Sequence, residues 1–281
     1  MGSEMCIRDR LSYGWKLLVS SLLDTVYNNL RNLIIGKIYT SADLAYYNQG
    51  DKFPKVIVTN INASIDSVLL PSMSGEQDHA ERVKSMTRRA IKTSTYIMAP
   101  LMMGLMFCAE PIVKLLLTDK WLPCVPYLRI FCFTYMFWPI HTANLNAIKA
   151  MGRSDLFLKL EIIKKIMGLT LLLVTMRISV MAMAYSLIVS GILSQIINSW
   201  PNWKLLDYNY IEQLRDILPS IIIATGMGIC VYFIGFLPMP ITITLLIQII
   251  AGAAIYIGVS VILKLEEFEY LLGMIKSFLK K

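Results

Sequence analysis

Asp24, Asn28 and Arg31 follow one another at intervals of four and three residues, with Asn32 beside them. On a helix that spacing puts them on one face. A second polar set, Asn60, Asn62 and Asp66, lies further along, with Asn62 and Asp66 one helical turn apart. Acids, amides and a guanidinium set among apolar residues can line a wet cavity, or they can lock two helices together. In the cavity reading Asp24 and Asp66 are coupling-ion groups, because two carboxylates at one depth share a proton or a cation rather than both ionising. Arg31, with Asn28, Asn60 and Asn62 beside it, then grips an anionic group such as a diphosphate through bidentate hydrogen bonds. In the structural reading the same groups bond helix to helix, for under about 2 kcal/mol per contact. Both readings stay open on these residues alone. His141, Asn144 and Asn146 follow Pro139, where a proline frees a carbonyl for neighbouring polar groups. Asn144 joins the cavity-lining set, and His141 either carries a coupling proton near neutral pH or packs between helices.

The elements that must position these groups are transmembrane helices. Of 281 residues, 56% are hydrophobic and only 16% charged, against roughly 25% charged in a soluble domain. Each bilayer crossing takes about 20 mostly apolar residues. Eight segments qualify: 12–37, 53–74, 90–110, 123–147, 156–176, 179–200, 215–236 and 240–263. The fold class expected is therefore all-α, a polytopic helix bundle with short loops. The stretch 38–52 is the longest of the outer loops. Residues 264–281 carry Leu265, Phe268, Leu272, Ile275 and Leu279 at helical spacing, opposite Lys264, Glu267, Lys276 and Lys280. That pattern predicts an amphipathic helix lying in the interface. Pro100 and Gly104 sit in a Met-rich part of the third segment, a pattern of a bendable helix or of plain lipid-facing surface. The pairs Ala224/Gly228 and Ala254/Gly258 have the spacing of close helix packing.

The net charge of +8 resides in short turns between apolar runs, which is a topology signal and argues against nucleic acid as a partner. Sixteen Lys and Arg, among them Arg82, Arg88, Arg89, Lys164, Lys165 and Lys204, fall on one side of the alternation and six on the other. The basic side is cytoplasmic, so both ends lie inside. Glu161, Lys164 and Lys165 mark a helix entry where long basic side chains snorkel. Five cysteines show no CxxC pair, so no metal or cofactor is expected. Cys108 and Cys124 flank one loop and are the pair that an oxidising compartment could join. Met1–Arg10 (MGSEMCIRDR) has no apolar core and so is not a signal peptide; it resembles the stray translation of a sequencing adapter and reads as a non-native segment.

Four stretches in order resemble the Wzx-type polysaccharide exporters of the MOP superfamily: Thr40–Pro54 (TSADLAYYNQGDKFP), Leu69–Arg82 (LLPSMSGEQDHAER), Trp121–Pro126 (WLPCVP) and Ala147–Lys159 (AIKAMGRSDLFLK). The resemblance implies fourteen helices in two six-helix lobes plus a final pair, with this chain supplying the second lobe (11–203) and the last two helices (204–263). It implies ion-coupled, alternating-access translocation of an undecaprenyl-diphosphate-linked oligosaccharide across the bacterial inner membrane, for O-antigen, capsule or exopolysaccharide synthesis. The implied partners are that lipid-linked oligosaccharide, membrane lipids, a first lobe either truncated or separately encoded, and polysaccharide polymerase machinery. On this expectation the chain does not transport alone and is not an enzyme. Two alternatives stand beside it: a multidrug antiporter of the same superfamily, which calls for a more apolar, aromatic cavity, and a membrane polysaccharide polymerase, which calls for a large outer loop rich in Arg or His. A scaffold role is the bland third.

The charge bias makes a direct prediction. In a variant without native cysteines, a single Cys at Asp78 should resist a membrane-impermeant thiol reagent in intact cells. One at Pro238 should be labelled, and the reverse pattern would invert the topology.

Overall fold

The computed structural model describes residues 14–279 apart from 16, 17, 20, 23, 24, 27 and 28. Met1–Arg10 therefore lies outside the described residues. Within them every regular element is helical. The first helix, α1, is continuous over 29–38. There follow α2 (Ser41–Ser74), α3 (Ala80–Phe107), α4 (Ala109–Leu117), a 3₁₀ segment (Asp119–Cys124), α5 (Val125–Met136), α6 (Trp138–Ala150), α7 (Ser154–Thr175), α8 (Val180–Leu206), α9 (Tyr210–Ile234), α10 (Ile241–Ile262) and α11 (Glu266–Leu279).

Each of the eight predicted segments meets one of these helices or a broken pair. By length and apolar character alone, α2, α8, α9 and α10 qualify as membrane spans, and the bent pair α3–α4 makes a fifth. The chain is thus a multi-pass membrane protein. The fourth segment is too interrupted and the fifth (α7) too charged to qualify by that measure, and the first lies partly outside the described residues.

Two boundaries differ from expectation for local reasons. Residues 41–52, read as outer loop, are helix. Thr40 and Asp43 form a reciprocal capping box, the Asp43 amide donating to the Thr40 hydroxyl at 3.1 Å and the Thr40 amide to the Asp43 carboxylate at 3.2 Å. Such a box satisfies donors that a helix start otherwise leaves open. The helix then runs through Pro54 and Pro71 for 34 residues, a length of about 50 Å at 1.5 Å per residue. In the third segment the bend is not at Pro100: α3 continues to Phe107, and the 70° turn falls at the α3–α4 junction. Met98, Met102 and Met103 are buried there rather than facing lipid. The fourth segment breaks at Phe137, just ahead of Pro139, which sits in the first turn of α6 where its missing amide does no harm.

Packing centres on α5, whose Leu128, Phe131 and Cys132 lie in the main apolar cluster with Tyr47 and Val58 of α2 and Met98 and Met102 of α3. Helices α2 and α5 touch at Gly50, where an added Cβ would stand 2.7 Å from Tyr127 Cβ and 2.9 Å from the Leu128 amide nitrogen. Gly228 likewise lies against the Phe107 ring, so Ala224/Gly228 does mark a close approach. Gly258 has nothing within 4 Å, and on α10 the buried line is instead Gly252, Tyr256 and Ser260. Cys108 and Cys124 are both free thiols.

The C-terminal helix does more than lie at a surface. Leu265, Phe268 and Leu271 pack on the main cluster, and Lys92 of α3 pairs with Glu266 at 2.8 Å and Glu267 at 3.0 Å. The Lys92 bond holds the Glu266 carboxyl below its ordinary range. Part of the expected polar face is therefore turned inward onto α3.

Gly50→Ala should lower thermal stability by about 1–3 kcal/mol, because the clash is with backbone and a Cβ that cannot retreat. Gly258→Ala should leave it unchanged. Melting of the purified protein in detergent compares the two.

Candidate functional site

Polar residues in the bundle separate into three groups by what satisfies them. The first is a network of buried side chains bonded to one another, in which only Asn202 Oδ1 lacks a partner. Asn144 of α6 and Gln213 of α9 bond reciprocally, Asn144 Nδ2 donating to Gln213 Oε1 at 2.8 Å and Gln213 Nε2 to Asn144 Oδ1 at 3.1 Å. Ser199 donates to Gln213 Oε1 at 2.9 Å, and Asn202 Nδ2 to Asn144 Oδ1 at 2.6 Å. All four side chains are buried, and they tie α6, α8 and α9 together. Asn144, expected in the cavity, is a packing residue in this arrangement. Nearby, Tyr208 donates to Asp216 at 2.7 Å, and Arg88 pairs with the other oxygen of that carboxylate at 2.7 Å. Burial pushes the Tyr208 hydroxyl up from its ordinary pKa, so it stays a donor.

The second group consists of tethers across helix pairs. Arg31 is buried against α8, its Nη1 donating to the Met183 carbonyl and, at 3.3 Å, to the Ser186 hydroxyl. Its Nη2 is buried with no hydrogen-bond partner, and no carboxylate pairs with it among the described residues. Tyr135 of α5 donates to Asp51 of α2 at 2.5 Å. Asn146 of α6 donates to Asp66 of α2 at 2.6 Å. His141 shares a 3.0 Å bond with Asn198 of α8. On α7, Glu161 is buried and closes on Lys164 at 2.5 Å, so this helix entry is a buried ion pair as well as an anchor.

The third group is uncovered. On α2, Lys52, Lys55, Thr59, Asn60, Ser64, Asp66 and Ser67 are all exposed, and at 3.6 residues per turn they fall within about half the helix circumference. Only 11% of the most apolar stretch of α2 is buried, against 39% in α9. The opposite side of α2, with Tyr47, Gly50, Pro54 and Val58, is the buried one.

The expected site residues are thus spread over more than one place. Asp24 and Asn28 lie outside the described residues. Asn60 and Asp66 share the open face of α2, and Asn62 turns towards the interior with a buried Oδ1 that has no partner. Arg31 engages α8 instead of α2. His141 and Asn146 point about 140° apart around α6 at 100° per residue, so His141 and Asp66 are not brought together. Asp51 and Tyr135 were not anticipated. The TSAD capping signal at Thr40–Asp43 would have moved Asp51 from loop to helix and so towards α5.

Residues 3–126 match the family model described as "Polysaccharide biosynthesis protein". The chain is 21% identical over 89% of its length to the teichuronic acid biosynthesis protein TuaB of Bacillus subtilis, covering 53% of that protein. It is 23% identical over 59% of its length to an uncharacterized membrane protein in the cps region of Klebsiella pneumoniae, covering 34% of it. The solved structure of the lipid II flippase MurJ in an inward closed conformation superposes with a TM-score of 0.74, at 16% identity, over 87% of this chain and 52% of that one. The resemblance to Wzx-type exporters stands. The fold is that of MurJ. The chain spans about half the length of TuaB and of MurJ.

The three groups predict different responses. Asn144→Leu strands buried partners on α8 and α9 and should destabilise by about 1–3 kcal/mol. Asn60→Ala, whose side chain donates only to the Val56 carbonyl of its own helix at 2.7 Å, should leave the melting temperature in place.

Proposed function

We propose that this chain forms half of a flippase that moves undecaprenyl-diphosphate-linked oligosaccharide across the bacterial inner membrane, by ion-coupled alternating access. The observation that carries the reading is the uncovered polar face of α2. A lipid-facing helix does not expose two lysines, a carboxylate and a row of hydroxyls and amides, because each polar group in hydrocarbon is costly. That face suits a wet cavity shared with further protein, and sugar hydroxyls are met there by Thr59, Asn60, Ser64 and Ser67. The polar character of the face, in place of an aromatic one, favours a saccharide over an apolar drug.

Arg31 supplies the anion-binding element. Its buried guanidinium has neutral partners and a spare Nη2, and an uncompensated buried cation favours a negative ligand. Asp66 is the coupling-ion candidate: one oxygen is held by Asn146, and the residue opens onto the α2 face. Asp24 completes the pair on this reading. His141, held by Asn198 away from that face, serves as a second candidate. The names of the relatives support the substrate class, since one belongs to teichuronic acid synthesis and the other is a lipid II flippase. On this reading residues 11–203 act as one lobe and 204–263 as the appended pair, and the bias of the basic turns supports both ends in the cytoplasm.

Deleting the gene should make lipid-linked oligosaccharide accumulate on the cytoplasmic side. Complementation with Arg31→Ala should transport at least about tenfold less, equivalent to about 1.4 kcal/mol, at unchanged protein level by immunoblot. Arg31→Lys should not restore it fully, lacking the forked donors. Loss of the protein itself would assign Arg31 to helix packing, and full complementation would remove it from the site.

A further inference from the structure

At the end of the bundle formed by the α3–α4 bend and the α9–α10 turn lies a recess of about 370 Å³, far along the chain from the α2 face. Its walls come from α4, α5 and the first turns of α10, with Phe107, Tyr232 and Phe236 around it. Two groups in it lack partners. Arg129 of α5 is half-buried and makes no ion pair or hydrogen bond among the described residues. Gln248 of α10 is 2% exposed, and its Oε1 is buried without a partner. The assignment of that amide is settled by its other bond: Nε2 donates to the Val231 carbonyl at 3.0 Å, so the atom left free must be the acceptor. Lys114 is neutralised by Glu110 at 2.9 Å. The recess therefore has one uncompensated positive charge, one unmet acceptor and an aromatic rim.

We infer that this recess binds a hydroxylated phosphate ester of the glycerol-phosphate class, with the phosphate on Arg129 and a hydroxyl donated to Gln248 Oε1. The single charge matches a phosphodiester, which carries one negative charge. An acceptor has no use for an unsubstituted phosphate oxygen but is met by a hydroxyl. Aromatic side chains at the end of a span occupy the depth of lipid head groups, so a phosphatidylglycerol head group and a soluble glycerophosphodiester such as glycerophosphoglycerol present the same chemistry to the site. The site does not depend on what the α2 face carries.

The test uses the whole chain reconstituted in nanodiscs of phosphatidylcholine mixed equally with phosphatidylglycerol or with phosphatidate. Lipid retained after extraction is counted by native mass spectrometry. Phosphatidylglycerol should be retained about tenfold over phosphatidylcholine, the ratio that one charge-assisted contact gives. Arg129→Gln should abolish the preference. Gln248→Met should narrow the preference for phosphatidylglycerol over phosphatidate, which lacks the hydroxyls, and a packing role alone would not discriminate between those two lipids. Added glycerophosphoglycerol that displaces the lipid from wild type but fails to bind Arg129→Gln would keep the site and assign it to the soluble diester. Equal retention of the three lipids by wild type overturns the inference, and needs no variant to fold. Undiminished preference in a folded Arg129→Gln protein overturns it as well.

Discussion

A polar side chain among apolar helices has to be met by another polar group or by water, and this bundle is organised around that requirement. Where several helices converge, the groups answer one another: Asn144, Gln213, Ser199 and Asn202 make a mutual network that fastens α6 to α8 and α9, with Asn202 Oδ1 left without a partner. Where two helices cross, single bonds suffice, as between Tyr135 and Asp51 or Asn146 and Asp66. The face of α2 that answers to neither arrangement is left open. Polar content alone would not separate these cases, because the residue types are the same in all three.

Helix α3 is the beam to which the parts attach. One flank receives the cluster shared with α2 and α5, and Gly228 of α9 seats against its last ring at Phe107. Near its start Arg88 reaches Asp216 of α9 and Lys92 reaches α11. Helix α9 is therefore joined to the beam by apolar packing at one end and an ion pair at the other, and α11 by the Lys92 ion pairs. Apolar contact between helices gains little within lipid, so a close glycine approach at one end and ion pairs at the other supply the specificity that hydrophobicity cannot.

Much of this architecture is legible in the chain. Helical periods and apolar runs locate the segments, and the wide spacing of basic turns from apolar cores makes them easy to delimit. What could not be read is which groups meet. Arg31 finds its partners more than 150 positions away, at Met183 and Ser186, and Asn144 finds Gln213 69 positions away. A helical face tells where a side chain points on its own cylinder and nothing about which cylinder stands opposite. Setting Asp24 level with Asp66 requires the first two helices to be neighbours at those depths, whereas Arg31 turns to α8 and Asp66 to α6. The helical state of 41–52 was legible in the Thr40–Asp43 capping box and was masked by the polar composition of that stretch.

The hydroxyls and amides on the open face of α2 have a further property. Thr59 donates to the Lys55 carbonyl at 2.8 Å, Asn60 to Val56 at 2.7 Å and Ser64 to Asn60 at 2.9 Å. The Thr59 and Ser64 hydroxyl donors are thus satisfied within the helix, and one of the two Asn60 N–H donors is as well. Such hydroxyls can be wetted, can receive hydroxyl donors, or can close against protein without stranding their own O–H. A face of free donors would have to find an acceptor each time it closed. Self-satisfied hydroxyls remove that constraint at Thr59 and Ser64, so these two positions suit an open, hydrated surface and a closed one alike.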